Sequence, residues 1–295
     1  MRFARYLRDP SLAVRKLQWQ RLYSGPRRDI TVDSYNGRLT FDSRDKLIGK
    51  YLYVDRAYER HYLEQALGIL ERDGYLRRDG RGTVLDVGAN IGMICIALLT
   101  HGWFDSAVAF EPAPRNLRLL EHNAEQNGCA DRIVRLPYAL SACDGELELE
   151  LSEYNSGDNR IRHRRAEGAW QEDRRDVVRV PVRTLDGVLA SAEVDRDELR
   201  LAWVDIQGHE GQFFQGARET LARVIPVVSE FWPYAILRSG MSRGEYMRTV
   251  AELFTHFYHL TDAGVDKLPI AHLDAFFVRY AAPKENAQMI LVRDA

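Results

Sequence analysis

The chain lacks what would mark a membrane-spanning, secreted or metal-binding protein. No apolar run approaches the ~20 residues that cross a bilayer, so no transmembrane segment is expected. The N-terminus is basic without a continuous apolar h-region, which argues against a secretory signal. Only Cys95, Cys129 and Cys143 carry thiols, at no metal-ligand spacing. An odd, scattered set suits a reducing compartment, so we expect a cytoplasmic protein that uses these cysteines for packing. A formal net charge of -2 lacks the excess of one sign that a general polyanion binder carries, so no nucleic-acid partner is expected. No Asp-Asn pair stands near a predicted strand end to complete a magnesium site, and no metal is expected. No internal repeat is present.

What is there suits one large domain with a small extension: 295 residues, 45% hydrophobic and 10% aromatic. We divide it into a basic helical and β extension over 1–54 and a main domain over 55–295. Residues 1–28 hold eight Arg/Lys and one acid. Asp9-Pro10 reads as an N-cap followed by proline at the first helical position. Ala13, Val14, Leu17 and Leu22 would then share a face. We expect that face to pack on the domain; the other reading is peripheral contact of 1–28 with an anionic membrane. Residues 30–54 read as strands with turns at Asn36-Gly37 and Ile48-Gly49. Glu59, Tyr62, Leu63, Ala66, Leu67 and Leu70 lie at helical spacing.

Beyond Gly80 and Gly82, strands and helices alternate. Strands are predicted at 83–87, 106–110 and 132–138, with helices at 91–100 and 114–127. Further strands are predicted at 144–151, 177–183, 201–205, 223–230, 257–260 and 273–279, and a helix over 243–255. This alternation predicts a doubly wound, mostly parallel α/β sheet with helices on both faces.

The segment Asp86-Val-Gly-Ala-Asn-Ile-Gly92 reads as a buried strand, a glycine turn and a helix start. Glu111 ends the next strand, where an acid can hold both ribose hydroxyls of a nucleoside. A dinucleotide fingerprint is G-x-G-x-x-G; here Asn90 stands in place of the middle glycine. A carboxylate at Asp86 repels a pyrophosphate but suits an amine or sulfonium. The charges therefore favour S-adenosyl-L-methionine over a nicotinamide dinucleotide. Four segments share the carboxyl edge of the predicted sheet, where open α/β sheets bind ligands: 86–92, Glu111-Pro112, Ala139-Leu140-Ser141 and Asp205-Ile-Gln-Gly-His-Glu210.

Together with Arg183-Thr-Leu-Asp186 and Asn155-Ser-Gly-Asp-Asn159, these motifs resemble the FkbM-like methyltransferases, over roughly 55–280. The resemblance implies a Rossmann-like, seven-stranded class I methyltransferase sheet whose last strand is antiparallel. It implies S-adenosylmethionine as donor and O-methylation of sugars or other natural products. By position, Asp86 would face the methionine ammonium, and Gly88, Ala89, Asn90 and Gly92 would line the cofactor. Glu111, beside Pro112, would take the ribose. Ala139, Leu140 and Ser141 would border the adenine, and Asp205 would lie nearest the methyl group. The first 30 residues and much of 161–176 fall outside the resemblance.

An alcohol acceptor benefits from a general base. His209, Asp205, Glu210 and Glu230 are the candidates, although Glu210 also suits a helix N-terminus and a lone His is more often structural. Asn155, Asp158, Asn159 and Arg160 are candidate acceptor contacts, as are Trp232 and Tyr234 beyond Glu230. Arg160, Arg162, Arg164, Arg165, Arg174 and Arg175 could bind an anionic substrate such as an acidic glycan, but acids interleave with them and, Arg160 apart, we expect a solvated loop. The competing readings are a nicotinamide-dependent oxidoreductase, a nucleic-acid N-methyltransferase and a non-catalytic binding module. Asp205-Ile-Gln-Gly replaces the Asp/Asn-Pro-Pro-Tyr/Phe segment of the second.

Overall fold

β3 (Thr83–Val87) lies inside the main sheet with every residue buried, because its Val-Leu-Val core is flanked on both sides and on both faces. The computed structural model describes residues 11–191, 195–223 and 225–294, so Asp9-Pro10 lies outside the described residues. β4 (Ser106–Phe110) and β5 (Ile133–Leu136) extend the sheet on one side of β3. On its other side run β10 (Leu199–Val204) and β11 (Val227–Phe231), all five being parallel. β14 (Ala287–Val292) pairs antiparallel between β11 and β12 (His256–Thr261). The sheet order is β13-β12-β14-β11-β10-β3-β4-β5, so the antiparallel final strand expected from the resemblance is present. β13 (Gly264–Pro269) is a hairpin partner of β12 that adds an eighth strand to the expected seven.

Before this sheet come α1 (Ser11–Ser24), the hairpin β1 (Asp29–Ser34) and β2 (Gly37–Asp42), and α2 (Arg60–Arg72). After β3, α3 (Met93–Thr100) is buried from Met93 to Leu99, as its wholly apolar sequence requires. α4 (Pro114–Gln126) follows β4. The hairpin is tied to the glycine turn by the buried Asn123 of α4. Its amide accepts from Thr40 N–H at 2.7 Å and donates to Thr40 O at 3.2 Å and Ile91 O at 2.8 Å.

A second sheet, ordered β6-β9-β7-β8, sits over the carboxyl edge of the first. It comprises β6 (Ala139–Leu140), β7 (Gly145–Leu151), β8 (Arg160–Ile161) and β9 (Asp176–Arg183). Leu149, Val180, Val182, Ala139 and Ala113 form its core.

Three expectations need correction. Residues 48–55 are helical, a turn at Ile48–Lys50 running into a π-helical Tyr51–Asp55. Their β-branched and aromatic composition reads as strand, but helical spacing puts Ile48 and Leu52 in the core. Likewise Leu273–Arg279 is a helix: Leu273, Phe276 and Phe277 are buried at i, i+3, i+4 while Val278 is exposed. Finally, α1 packs through Leu12 and Trp19, seven apart, whereas Ala13, Val14 and Leu17 face solvent. Trp19 has the larger apolar surface and meets Phe41 and Tyr53, which sets the helix's rotation. No described helix is long and apolar enough to cross a membrane.

Candidate functional site

The turn after β3 is pressed between the ends of its neighbours. Gly88 and Ala89 N–H donate to Phe110 O at 2.9 and 3.0 Å, and Asp205 N–H donates to Val87 O at 3.0 Å. Gly88 has φ 87°, and a Cβ there would stand 2.1 Å from Asp205 O. Asn90 has φ 52°, a left-handed backbone that Asn tolerates better than most residues. Its Oδ1 accepts from Ile91 N–H at 2.8 Å. The missing middle glycine is thus replaced by the side chain best able to copy its geometry.

Glu111 is buried at the end of β4. Its Oε2 accepts from Asn90 N–H and its Oε1 from Ala113 N–H, both at 2.8 Å. These bonds fix the carboxylate yet use only part of its roughly four acceptor positions. Burial pushes its pKa up to about 7 against those donors. Asp86 is 2% exposed and turns beneath the turn, accepting from Cys95 N–H at 3.0 Å. Burial raises its pKa to about 6.

A narrow cleft of about 50 Å³ runs along this edge. Gly88, Asn90, Glu111, Pro112, Ala139, Leu140, Asp205 and His209 line it, and Asp86, Ala89, Gly92 and Ser141 do not. Tyr138 and Asn116, which no sequence motif marks, also line it, as do Ser156 and Gly157 of the Asn155–Asn159 motif. The last two belong to the connection from β7 to β8, which roofs the cleft. That roof is pinned by Asp45, whose Oδ2 accepts from Ser156 N–H at 2.8 Å and its hydroxyl at 2.7 Å. Asn116 Nδ2 donates to Ser156 O at 3.2 Å.

Gly157, Asp205 and Gln207 also line a second, larger cleft of about 800 Å³. Five acids line it: Asp158, Asp262, Asp205, Glu230 and Glu59, the last from the residue before α2. Gln207 Nε2 donates to Asp205 Oδ1 at 2.6 Å and to Glu230 Oε2 at 3.1 Å. Asn286 Nδ2 donates to Glu230 Oε1 at 2.5 Å. Burial, then the charge of Asp205, pushes Glu230 well above the usual carboxyl range and Glu59 up to about 8. Burial also raises Asp205, with the charge of Asp158 adding to it. Glu59 and Asn286 carry no local motif; only folding brings them to Glu230.

The other candidate bases sit elsewhere. His209 Nε2 meets Ser141 Oγ at 2.9 Å, and burial lowers its pKa to about 4. It lines the narrow cleft but not the larger one. Glu210 is fully buried, its Oε1 accepting from Ile206 and Gly208 N–H, each at 3.2 Å, so it braces the turn.

The candidate acceptor contacts divide in the same way. Asn155, Asp158, Arg160 and Trp232 line the larger cleft. Asn155 Oδ1 caps the turn at Gly157 N–H, and Asn159 Oδ1 accepts from Ser152 N–H at 2.9 Å. Tyr234 instead donates to Glu172 Oε1 at 2.7 Å. The expectation of a solvated arginine loop is corrected in part. Arg160, Arg162 and Arg175 are nearly buried, paired with Asp158, Glu150 and Glu172. Alternating signs put acids within reach, and unpaired burial would cost several kcal/mol per ion (~3–5). Among the described residues no three His, Cys, Asp or Glu side chains converge as metal ligands do.

Strand order, glycine turn and the acid after β4 together define an open α/β sheet of the class I methyltransferase type. Residues 86–262 match the family described as Methyltransferase FkbM domain, and the chain belongs to that family. No curated protein matches it. Among solved structures it is similar to the methyltransferase FkbM from Methylobacillus flagellatus KT, at 15% identity and a TM-score of 0.45. That match covers 98% of this chain and 60% of the other, so the chain spans less than two thirds of that relative's length. It is also similar to an O-methyltransferase from Bacillus cereus in complex with SAH, at 10% identity and a TM-score of 0.38, covering 78% and 90%.

Proposed function

We propose that this chain is an S-adenosylmethionine-dependent methyltransferase acting on a hydroxyl of a sugar, glycan or other small natural product. Membership of a methyltransferase family favours this over a nicotinamide oxidoreductase or a non-catalytic module. The residues lining the narrow cleft suit the parts of the cofactor, and the cleft has to widen from about 50 Å³ to admit it. Glu111 lines the cleft as an acceptor for a ribose hydroxyl, and Ala139 and Leu140 offer an apolar border for the adenine. When bound, S-adenosylmethionine supplies an electrophilic methyl group.

The observation that carries the reading is the shared wall of the two clefts, Asp205 with Gln207. A hydroxyl in the larger cleft meets carboxylates that Gln207 and Asn286 hold in fixed positions. Asp205 and Glu230 orient that hydroxyl, and one of them takes its proton as the oxygen attacks. Raised carboxyl pKa values make them better proton acceptors once ionised. His209 holds the adenine end of the wall with Ser141.

The test is transfer of labelled methyl from S-adenosylmethionine to panels of hydroxylated sugars, lipids and polyketides. Label should appear as a methyl ether, and Glu230→Gln should cut turnover by about 100-fold with S-adenosylhomocysteine affinity unchanged. Label on nitrogen, or on none of the panels, would overturn the proposal.

A further inference from the structure

The segment 161–176 carries none of the motifs, yet the fold spends a buried carboxylate on it. Glu172 is fully buried. Its Oε2 accepts from Trp170 N–H at 2.8 Å, and its Oε1 accepts from Tyr234 hydroxyl at 2.7 Å and Arg160 at 3.1 Å. The Tyr234 hydroxyl in turn accepts from Ala169 N–H at 2.8 Å, and Arg238 donates to Ala166 O at 2.7 Å. Burial opposes the charge on Glu172, yet Tyr234, backbone N–H groups and Arg160 hold its carboxyl below the usual range. Gly168 has no room for a Cβ, which would stand 2.5 Å from both Glu172 Oε2 and Tyr234 Oη.

This pinned turn presents Trp170, which remains 38% exposed. Tyr154, 41% exposed, lines the same two cavities as Trp170, with Lys46 Nζ 3.7 Å over its ring. One is the larger cleft at Asp205. The other is an open groove of about 460 Å³ that also includes Arg27, Arg115 and Arg174. Each cavity is of the size that holds one drug-sized ligand, about 300–1,000 Å³, and they are joined through Ser152, Tyr154, Asn155, Trp170 and Arg175. The groove's arginines are all paired: Arg27 with Asp42, Arg115 with Asp29, Arg174 with Asp173 and Arg175 with Asp158. They leave no unpaired row of cations along the groove, while Lys46 and Lys284 line the larger cleft.

We propose that Trp170, beside Tyr154, forms an outer aromatic subsite for an uncharged oligosaccharide whose reacting hydroxyl lies at Asp205. Pyranose rings have apolar C–H faces that stack on aromatic planes, and hydroxyl edges that suit amides such as Asn155, Gln207 and Asn286. The 161–176 turn therefore selects a sugar within a chain over a free monosaccharide. This rests on the proposed acceptor class.

The test is binding of uncharged mono- to hexasaccharides, with charged glycans and peptides as comparators, to protein incubated with S-adenosylhomocysteine. Affinity should rise with chain length. Trp170→Ala should lower it about five- to tenfold for the longer glycans and leave monosaccharides unaffected; melting temperature reports its fold. Glu172→Gln should give the same pattern if it folds. Length-independent binding, equal binding by Trp170→Ala, a preference for charged glycans or peptides, or no glycan bound would overturn the subsite. Failure of S-adenosylhomocysteine to bind would instead overturn the methyltransferase reading, while the glycan series still decides the subsite.

Discussion

Gly88 lies against Asp205 so closely that a Cβ would stand 2.1 Å from its carbonyl oxygen. The contact joins the turn after β3 to the end of β10, and it fixes where the two clefts meet. Gly88→Ala adds both that clash and a left-handed backbone at φ 87°. Strain and overpacking together should cost about 2–4 kcal/mol. Chemical denaturation measures this; a cost below about 1 kcal/mol would mean the strand ends are not held this tightly.

The roof of the narrow cleft hangs on Asp45 through two bonds to Ser156. Asp45→Ala should let the roof lift more often. Stopped-flow binding of S-adenosylhomocysteine should then show faster association, and dissociation faster by about tenfold or more, since hydrogen bonds to charged groups contribute ~1.5–3 kcal/mol. Unchanged rates would show that the cofactor enters by another route.

Stability should fall with pH above neutrality's acid side. Burial raises Glu111 and Glu210 to about 7 from 4.5. The folded state therefore holds protons that the unfolded chain has released, and stability is lost as pH rises between those values. His209, lowered to about 4 from 6.5, acts oppositely, because the unfolded chain binds its proton first as pH falls. The two effects oppose each other below about pH 6.5, and only the carboxyls remain above it. Melting temperature should drop from about pH 6.5 to pH 8, and Glu210→Gln should flatten that drop. A rise over this range would contradict the buried carboxyls.

The turn at the carboxyl edge of the sheet was legible in sequence because its parts are local. Gly88, Asn90, Gly92 and Glu111 each act within a turn of their own strand, and turn chemistry is written in neighbouring residues. The clefts' remaining walls are not local. Glu59 comes from before α2, Asn286 from before β14, and Trp170 from a polar insertion without periodicity. Their meeting depends on a second sheet, of which the sequence pattern marked β7 and β9 but neither β6 nor β8. Residues 48–55 and 273–279 misled for a related reason: β-forming side chains sit on helical faces because burial outweighs their propensity.

A methyltransferase requires that the glycine turn accept S-adenosylmethionine. Isothermal titration of the protein with S-adenosylmethionine, S-adenosylhomocysteine and NAD tests this directly. The first two should bind, NAD should give no heat, and Glu111→Ala should weaken the first two by about 10- to 100-fold through lost charge-assisted bonds to ribose. Binding of NAD alone, or an unchanged affinity in Glu111→Ala, would contradict it.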